Sequence, residues 1–275
     1  MSTTSSTIEP VTAELYALIQ ASLRRIEGEE GARVLLAVES GSRAWGFWSP
    51  DSDYDVRFVY VRHPDAYLSV EQPRDVIERP LSDELDIAGW DLAKTLKLIF
   101  KSNAVILEWL QSPIRYGGDE DFAAAIQDFA RPRLDEKALA YHYLNLARSQ
   151  IARFLDHPEE VRGKKYFYVI RPALTLRWLR LHGAGTIPPM DFGRLTRETD
   201  LPETILEALA QLLEQKKKER EFGSIPRHAA LDKLIFAEVE DGEKRARRPT
   251  QRQAAGDIEA ANTLFRDWVR SGSAS

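Results

Sequence analysis

The sequence predicts an α+β fold, in which a small mixed sheet with helices is followed by a mostly helical half. Two patterns lead to this prediction. Short apolar runs typical of strands occur before residue 91, interleaved with stretches of helical spacing. From about Leu134 onward, the apolar residues recur at helical spacing. A chain of 275 residues is long enough to bury a substantial core, and without cysteine it does so without disulfides.

Helices and strands alternate in the predicted first half. Apolar spacing predicts a helix over 11–26, with Gly28 and Gly31 marking its end. Short apolar and β-branched runs predict strands at 32–39, 55–62 and 85–90. Helices are predicted at 91–101, 103–111 and 122–129, the first capped by Asp91, with a turn at 117–122. Three prolines argue against long regular elements in 63–83.

The predicted second half consists of helices separated by proline and glycine. They are expected at 138–156, 165–182, 203–221, 227–240 and 256–270. Residues 1–10 and the final SGSAS are poor in apolar residues and predict loose ends. We therefore expect a flexible tail over 1–10, one domain over 11–130 and a helical domain over 131–270.

Composition excludes several classes of function. Without cysteine there is no thiolate metal site and no cysteine nucleophile, and five scattered histidines disfavour a histidine-rich metal site. No apolar run approaches the roughly 18 residues that a membrane span needs. The N-terminus lacks the features of a secretory or transit peptide, so the expected compartment is the cytoplasm.

The net charge of −5 is unevenly distributed. Residues 1–136 hold 14 basic and 24 acidic side chains, whereas residues 137–275 hold 24 and 19. An acidic protein is a poor non-specific binder of nucleic acid. An acidic half that faces a basic half is different, because one wall of a cleft can hold cations and the other can hold phosphates.

Gly41-Ser42 and Asp53-Tyr54-Asp55 lie on adjacent predicted strands. Side chains alternate along a strand, so Asp53 and Asp55 share one face, roughly 6–7 Å apart along the chain. Two carboxylates this close repel each other unless a cation compensates. Mg²⁺ takes such oxygen ligands together with water and phosphate oxygens. Glycine lets the backbone approach a phosphate closely, so a phosphate cradle is predicted beside a pair of cation ligands.

The order of these residues resembles the DNA polymerase beta-like nucleotidyltransferase superfamily. The string GSRAWGFWSPDSDYDVR, Gly41 to Arg57, is similar to the predicted nucleotidyltransferases of the RNA repair pathway DNA polymerase beta family. In this resemblance Asp86, in LDIAGWD, is the third carboxylate. The run KKYFYVIRP at 164–172 is similar to the helical half of that family, and the resemblance covers roughly residues 30–185.

The resemblance implies a nucleotidyltransferase domain over 11–130 with two Mg²⁺ ions, Mn²⁺ being an alternative. The implied metal ligands and catalytic residues are Asp53, Asp55 and Asp86. Two metals can stabilise both the attacking and the leaving oxygen of an in-line displacement. The implied ligands of the triphosphate are Gly41, Ser42 and Arg43. Taken alone, the aspartates could equally be solvated residues at strand ends, and Arg43 could pair with a nearby acid.

A basic helix provides the other candidate contacts. Residues 141–182 contain eight Lys and Arg side chains and three acids, and helical spacing places Lys164, Tyr168 and Arg171 along one face. We expect this face and Lys165 to contact the triphosphate or an RNA backbone, the alternative being a solvated basic face. The basic runs at 216–218 and 244–248 are flanked by acids and are expected to be solvated surface.

Supporting residues are predicted around the carboxylates. Arg57 lies two residues past Asp55 on the same strand face and is expected to pair with the carboxylates. The aromatic side chains of Trp45, Phe47 and Trp48 are expected to pack their loop onto the core, with stacking on a base as the alternative.

The predicted function is transfer of a nucleoside monophosphate from a nucleoside triphosphate to a hydroxyl, with release of pyrophosphate. The resemblance suggests an RNA end as the acceptor. Alternatives are a protein hydroxyl, a small molecule, or a regulatory protein that binds nucleotide without turnover. A contiguous basic track leading from the cleft is expected only for RNA. The sequence predicts no particular oligomeric state.

Overall fold

The computed structural model describes residues 11–49, 52–80, 85–155, 157, 159–183, 185–218, 223–246 and 255–271. The predicted tail over 1–10 and most of the terminal SGSAS lie outside these residues. The predicted α+β class is confirmed, with a mixed sheet near the N-terminus and helices after it. Along the described part of the chain, no helix is both long and apolar enough to span a bilayer.

A five-stranded sheet forms the centre of the first half, with strand order β3-β4-β2-β1-β5. The strands are β1 (Ala32–Glu39), β2 (Tyr54–Arg62), β3 (Val76–Pro80), β4 (Leu85–Asp91) and β5 (Arg115–Gly118). Strands β2 and β4 are parallel, and the other neighbours are antiparallel. The three predicted strands are therefore confirmed, to within one residue at either end.

The helices of the first half other than α2 begin at side-chain caps that the sequence supplies. They are α1 (Ala13–Glu30), α2 (Ser42–Trp45), α3 (Pro64–Tyr67), α4 (Leu92–Phe100), α5 (Ala104–Gln111) and α6 (Glu120–Ala130). Asp91 caps α4 as predicted, and Asn103 and Asp119 cap α5 and α6 in the same way. Helix α1 continues through Gly28 and ends at Gly31, whose left-handed conformation closes it.

Several short elements depart from the sequence prediction. The predicted turn at 117–122 is wrong, because Gly117 and Gly118 pair with β1 as the edge strand β5 and α6 begins at Glu120. Gly118 has a φ of +116°, and a Cβ there would lie 2.5 Å from the carbonyl oxygen of Leu35. This close approach needs glycine, so a dipeptide typical of turns forms part of a strand.

The described residues of the second half form six α-helices and a small two-stranded sheet. The helices are α7 (Glu136–Phe154), α8 (Gly163–His182), α9 (Phe192–Arg197), α10 (Glu203–Lys218), α11 (Ala229–Arg245) and α12 (Ala255–Ser271). The predicted helices appear with shifted ends, and α9 was not predicted. The small antiparallel sheet of β6 (Glu160–Arg162) and β7 (Ser224–Pro226) was also not predicted, since runs of three residues carry little periodicity.

Two apolar clusters cover the two faces of the large sheet. On one face, Ile19, Leu23 and Ile26 of α1 pack with Phe58 and Tyr60. On the other face, a larger cluster joins the sheet to α4–α6 and continues into α7, α8 and α10–α12. The helical half therefore shares a core with the sheet, and the boundary at 130/131 stays a prediction.

Buried ion pairs hold α8 against α11. Glu238 is 4% exposed and accepts hydrogen bonds from Arg177 at 2.8 Å and Arg180 at 2.9 Å. Arg148 of α7 pairs with Glu243 of the same α11. These three of the eight basic residues in 141–182, together with Arg171 described below, thus pair with acids of neighbouring helices.

Close contact between β2 and β4 gives a test of the sheet. Gly89 lies opposite Phe58, and a Cβ at Gly89 would lie 2.3–2.4 Å from three atoms of that buried ring. We expect Gly89→Ala to lower the free energy of unfolding by about 1–3 kcal/mol, measured by urea denaturation, because the ring has no space to move. Gly28→Ala is the control, because its Cβ meets no atom within 4 Å and a helical alanine should stabilise by about 0.5–1 kcal/mol. Equal stability of both variants would contradict this packing.

Candidate active site

The sheet topology brings the predicted carboxylates to one edge. The end of β1 lies beside the start of β2 because these strands are antiparallel, and β4 starts at the same edge because it is parallel to β2. Asp55 lies directly opposite Asp86 in the β2–β4 register. Asp53 precedes β2 and is exposed, and its charge acts on Asp55. The structure therefore assembles Asp53, Asp55 and Asp86 at one edge.

Gly41 packs directly against the Asp55 carboxylate. A Cβ at Gly41 would lie 2.0 Å from Oδ2 of Asp55 and 2.9 Å from its Cγ. The backbone φ of −88° is ordinary, so the absence of a side chain, rather than an unusual conformation, matters here. Only glycine lets the backbone and the carboxylate approach so closely.

Arg57 bridges the two paired carboxylates, as the sequence predicts. Its Nη2 lies 3.2 Å from Oδ1 of Asp55 and 2.7 Å from Oδ2 of Asp86, and its Nη1 donates to the Asp86 carbonyl. Burial raises the pKa of the Asp55 carboxyl, the Arg57 charge lowers it, and the charges of Asp86 and Asp53 raise it again. The pKa of Asp55 is raised overall, and the positive charge of Arg57 offsets part of that shift.

The donor set suits a hard cation that takes only part of its coordination shell from the protein. Among the described residues, no three or more His, Cys, Asp or Glu side chains are arranged to hold a metal ion by themselves. Mg²⁺ is usually held by one or two carboxylates plus water and substrate phosphates. Asp55 and Asp86 meet that requirement, since their side chains are 34% and 51% exposed beside Gly41. The predicted three-ligand set stays a prediction.

Glu39 holds the strand ends that carry the site. Its side chain is fully buried, and Oε1 accepts hydrogen bonds from the backbone amides of Gly41 and Asp55, both at 3.0 Å. Oε2 accepts from the Tyr116 hydroxyl at 2.7 Å. Burial raises the Glu39 pKa, and these hydrogen bonds lower it. Sequence reasoning missed this role, although an acid that ends an otherwise apolar strand was a visible signal.

The loop after β1 contains the one-turn helix α2, which was predicted only as loop. Ser42 begins α2 and is partly exposed next to Gly41. Arg43 is 6% exposed, and its guanidinium donates to the Ser52 carbonyl and lies 3.8 Å from the centroid of the Tyr54 ring. Arg43 therefore secures the loop, and its contact with phosphate stays a prediction.

Helix α8 faces the carboxylates. Burial raises the pKa of Tyr168, and the neighbouring charges acting on it are Arg171, Asp55, Lys164 and Asp53. Tyr168 thus lies within electrostatic range of both the acidic edge and two basic residues of its own helix. Of the predicted cluster, Tyr168 is thus near enough to the aspartates for their charges to act on it, and Lys164 and Arg171 act on the same side chain.

Arg171 also connects three elements of the fold. Its Nη1 lies 3.8 Å from Oε2 of Glu108, whose Oε1 accepts a hydrogen bond from Tyr143. Its Cζ lies 4.6 Å from the centroid of the Trp45 ring. Burial raises the pKa of Glu108, and the Arg171 charge lowers it. Arg171 therefore joins α8 to α5 and to the loop after β1.

Two of the three loop aromatics are part of the core, as expected, whereas Trp48 is partly exposed. Trp45 and Phe47 are 2% and 1% exposed, and Phe47 stacks on Phe167 of α8 at 5.3 Å. Lys216 contacts the same rings, with Nζ 4.6 Å from the centroid of Phe47, and is only 2% exposed. The expectation of a solvated run at 216–218 is therefore wrong for Lys216, because two aromatic faces receive its charge.

The Glu39 contacts predict a large difference between two substitutions. Glu39→Ala removes the acceptor of three donors, each of which costs about 1–3 kcal/mol when buried without a partner. We expect a loss of about 3 kcal/mol or more in the free energy of unfolding, measured by urea denaturation. Glu39→Gln keeps one oxygen for both amides and should lose much less. Equal losses in the two variants would show that these hydrogen bonds do not hold the strand ends.

Comparison with known proteins agrees with this geometry. A family model described as the RNA repair pathway DNA polymerase beta family matches residues 15–267. An uncharacterized protein of Bacillus subtilis (strain 168), YcgL, is 45% identical over 218 residues, covering 79% of this chain and 83% of the relative. The match spans the acidic edge and α8, and the family implies an enzyme of the nucleotidyltransferase type. The chain belongs to the RNA repair pathway DNA polymerase beta family.

Proposed function

We propose that the protein transfers a nucleoside monophosphate from a nucleoside triphosphate to a hydroxyl group, releasing pyrophosphate. One observation carries this proposal: the contact of Gly41 with Asp55, opposite Asp86, at an edge whose charges reach Tyr168 of α8. A backbone without a side chain beside paired carboxylates allows phosphate oxygens to come close to both. Transfer of a phosphoryl group depends mainly on such positioning and on neutralisation of charge.

Each group has a proposed role in the reaction. The acceptor oxygen attacks the α-phosphorus, the bond between that phosphorus and the bridging oxygen to the β-phosphate breaks, and pyrophosphate leaves. Asp86 takes the proton of the hydroxyl, since it is the more exposed of the two paired carboxylates. Gly41 and Ser42 position the triphosphate, and Lys164 and Arg171 offset its charge from the side of α8.

Divalent cations belong to the proposed reaction. Asp53, Asp55 and Asp86 would hold Mg²⁺ or Mn²⁺, which when bound activates the attacking hydroxyl and neutralises the phosphates. Arg57 keeps Asp55 and Asp86 in register. Its hydrogen bond to the Asp86 carbonyl anchors the guanidinium to the strand.

The proposed acceptor is a hydroxyl at an RNA end, which the family description favours. A protein hydroxyl and a small molecule are the alternative acceptors that the same carboxylates would serve. A regulatory protein that binds nucleotide without turnover would not need three acids at one edge beside a bare backbone.

A transfer assay tests the proposal. The protein is incubated with each labelled nucleoside triphosphate, Mg²⁺ or Mn²⁺, and total RNA. We expect label on RNA with the wild type, and none with Asp53→Asn or Asp55→Asn. Both variants should stay folded, since loss of like charge relieves repulsion at the acidic edge. Asp128→Asn on the exposed face of α6 is the matched control and should transfer normally.

The outcomes of this assay separate the acceptors. Label on protein instead of RNA would move the function to protein nucleotidylation. Full activity in both aspartate variants would refute the carboxylate assignment, and no transfer to any acceptor would refute the proposed activity.

The Gly41 contact gives a second, independent test. In Gly41→Ala the new Cβ must displace the Asp55 carboxylate, which is the free end of a side chain and can move. We expect a loss in transfer rate of about 10²-fold with a nearly unchanged melting temperature, since small misplacements of reacting groups cost about that much. Gly28→Ala should keep full activity. Unimpaired transfer by Gly41→Ala would mean that the Asp55 position is not critical.

A further inference from the structure

A cavity with a volume of about 620 Å³ is lined mainly by basic and aromatic side chains. It lies between the end of α7, strand β6 and the start of α8, and we call it the basic pocket. Its charged and aromatic lining is Arg153, Phe154, His157, Glu160, Arg162 and Lys165.

Seven of the eight basic residues of 141–182 divide into two groups, the eighth being Lys164. Arg148, Arg171, Arg177 and Arg180 each have a carboxylate partner on a neighbouring helix. Arg153, Arg162 and Lys165 form no ion pair within the described residues, and all three line the basic pocket. Three cations that do not pair with an acid of the described chain are therefore collected in one cavity.

The three cations act on one another. Burial lowers the pKa of Lys165, and the charges of Arg153, Lys164 and Arg162 lower it further. Among the described lining residues, the acid is Glu160, which is exposed, so basic side chains are in excess there. Cations gathered this closely repel each other, so binding of an anion between them would be favourable.

Aromatic rings connect the basic pocket to the acidic edge. The Lys165 ammonium lies 4.9 Å from the centroid of the Tyr168 ring and 5.4 Å from that of Phe154, and the two rings are 6.3 Å apart. The carboxylates Asp53 and Asp55 act on Tyr168, whereas the charges acting on Lys165 are all basic. Basic groups interleaved with aromatic faces are typical of single-stranded nucleic-acid sites.

We propose that the basic pocket binds backbone phosphates of a single-stranded RNA acceptor and so directs its end towards the acidic edge. This inference rests on the proposed transfer function and names the surface that holds its acceptor. The triphosphate is assigned to Gly41 and Ser42, which do not line the pocket. Lys165 follows Lys164 at the start of α8, so the pocket continues the basic start of this helix, as a polynucleotide acceptor requires.

Direct binding of a labelled single-stranded RNA oligonucleotide tests the pocket without any turnover. The test variant is Arg153→Gln/Arg162→Gln, which leaves Lys164 and Lys165 in place. The matched control is Lys97→Gln/Lys233→Gln, which removes the same charge at two exposed helical positions on α4 and α11. Fluorescence anisotropy is recorded over a series of salt concentrations, and melting temperatures confirm that both variants are folded.

We expect weaker RNA binding in the pocket variant and a slope of log K against log salt that is reduced by about 1.4, at about 0.7 for each lost phosphate contact. The control should bind RNA like the wild type. Identical affinity and slope in both variants would overturn the proposal. Unchanged RNA binding with weaker nucleoside triphosphate binding would also overturn it, because the pocket would then hold the triphosphate.

The two proposals fail separately. Asp53→Asn lies outside the basic pocket and should bind RNA at least as well as the wild type, although it cannot transfer. If the wild type transfers nothing and the pocket variant still loses RNA binding, the transfer function fails and the pocket stands. If transfer to RNA occurs and the pocket variant binds RNA normally, the function stands and the pocket assignment fails.

Discussion

The candidate site depends on one buried carboxylate. Glu39 ends β1 and accepts hydrogen bonds from the amides of Gly41 and Asp55. It therefore joins the segment at Gly41 to the start of β2, which carries Asp55. The Tyr116 hydroxyl holds the same carboxylate from β5. A buried carboxylate destabilises the fold unless its oxygens accept hydrogen bonds. Here the donors lie on the same segments that must be aligned to form the site. The contacts that hold these segments together therefore also fix the geometry of the site.

Charge has two distinct uses in the helical half. Arg177, Arg180 and Glu238 form a buried pairing that fixes α8 against α11. Such pairs are expensive to break, because a buried charge would be left without a partner. The side of α8 that faces the acidic edge and the basic pocket carries cations that helix packing does not need. Helix α8 thus contributes to helix packing and also to the proposed phosphate-binding surface.

Arg57 explains how two aspartates can lie opposite each other in adjacent strands. Its guanidinium contacts both carboxylates, and its anchorage to the Asp86 carbonyl keeps it there. Burial and the charges of Asp86 and Asp53 raise the pKa of Asp55, and the Arg57 charge lowers it. Arg57 thus offsets part of the repulsion between the two carboxylates before any substrate arrives.

The sequence by itself determined the fold class, the strands that carry the aspartates and the family, because alternation, caps and the string from Gly41 to Arg57 are local patterns. It also placed Arg57 correctly, since strand alternation fixes the face of a residue two positions from Asp55. Only the tertiary structure decided the role of Glu39, the internal use of Arg177 and Arg180, and the burial of Lys216. Each of these depends on a partner far along the chain, and no local spacing encodes which cation will meet an acid and which will remain for a ligand.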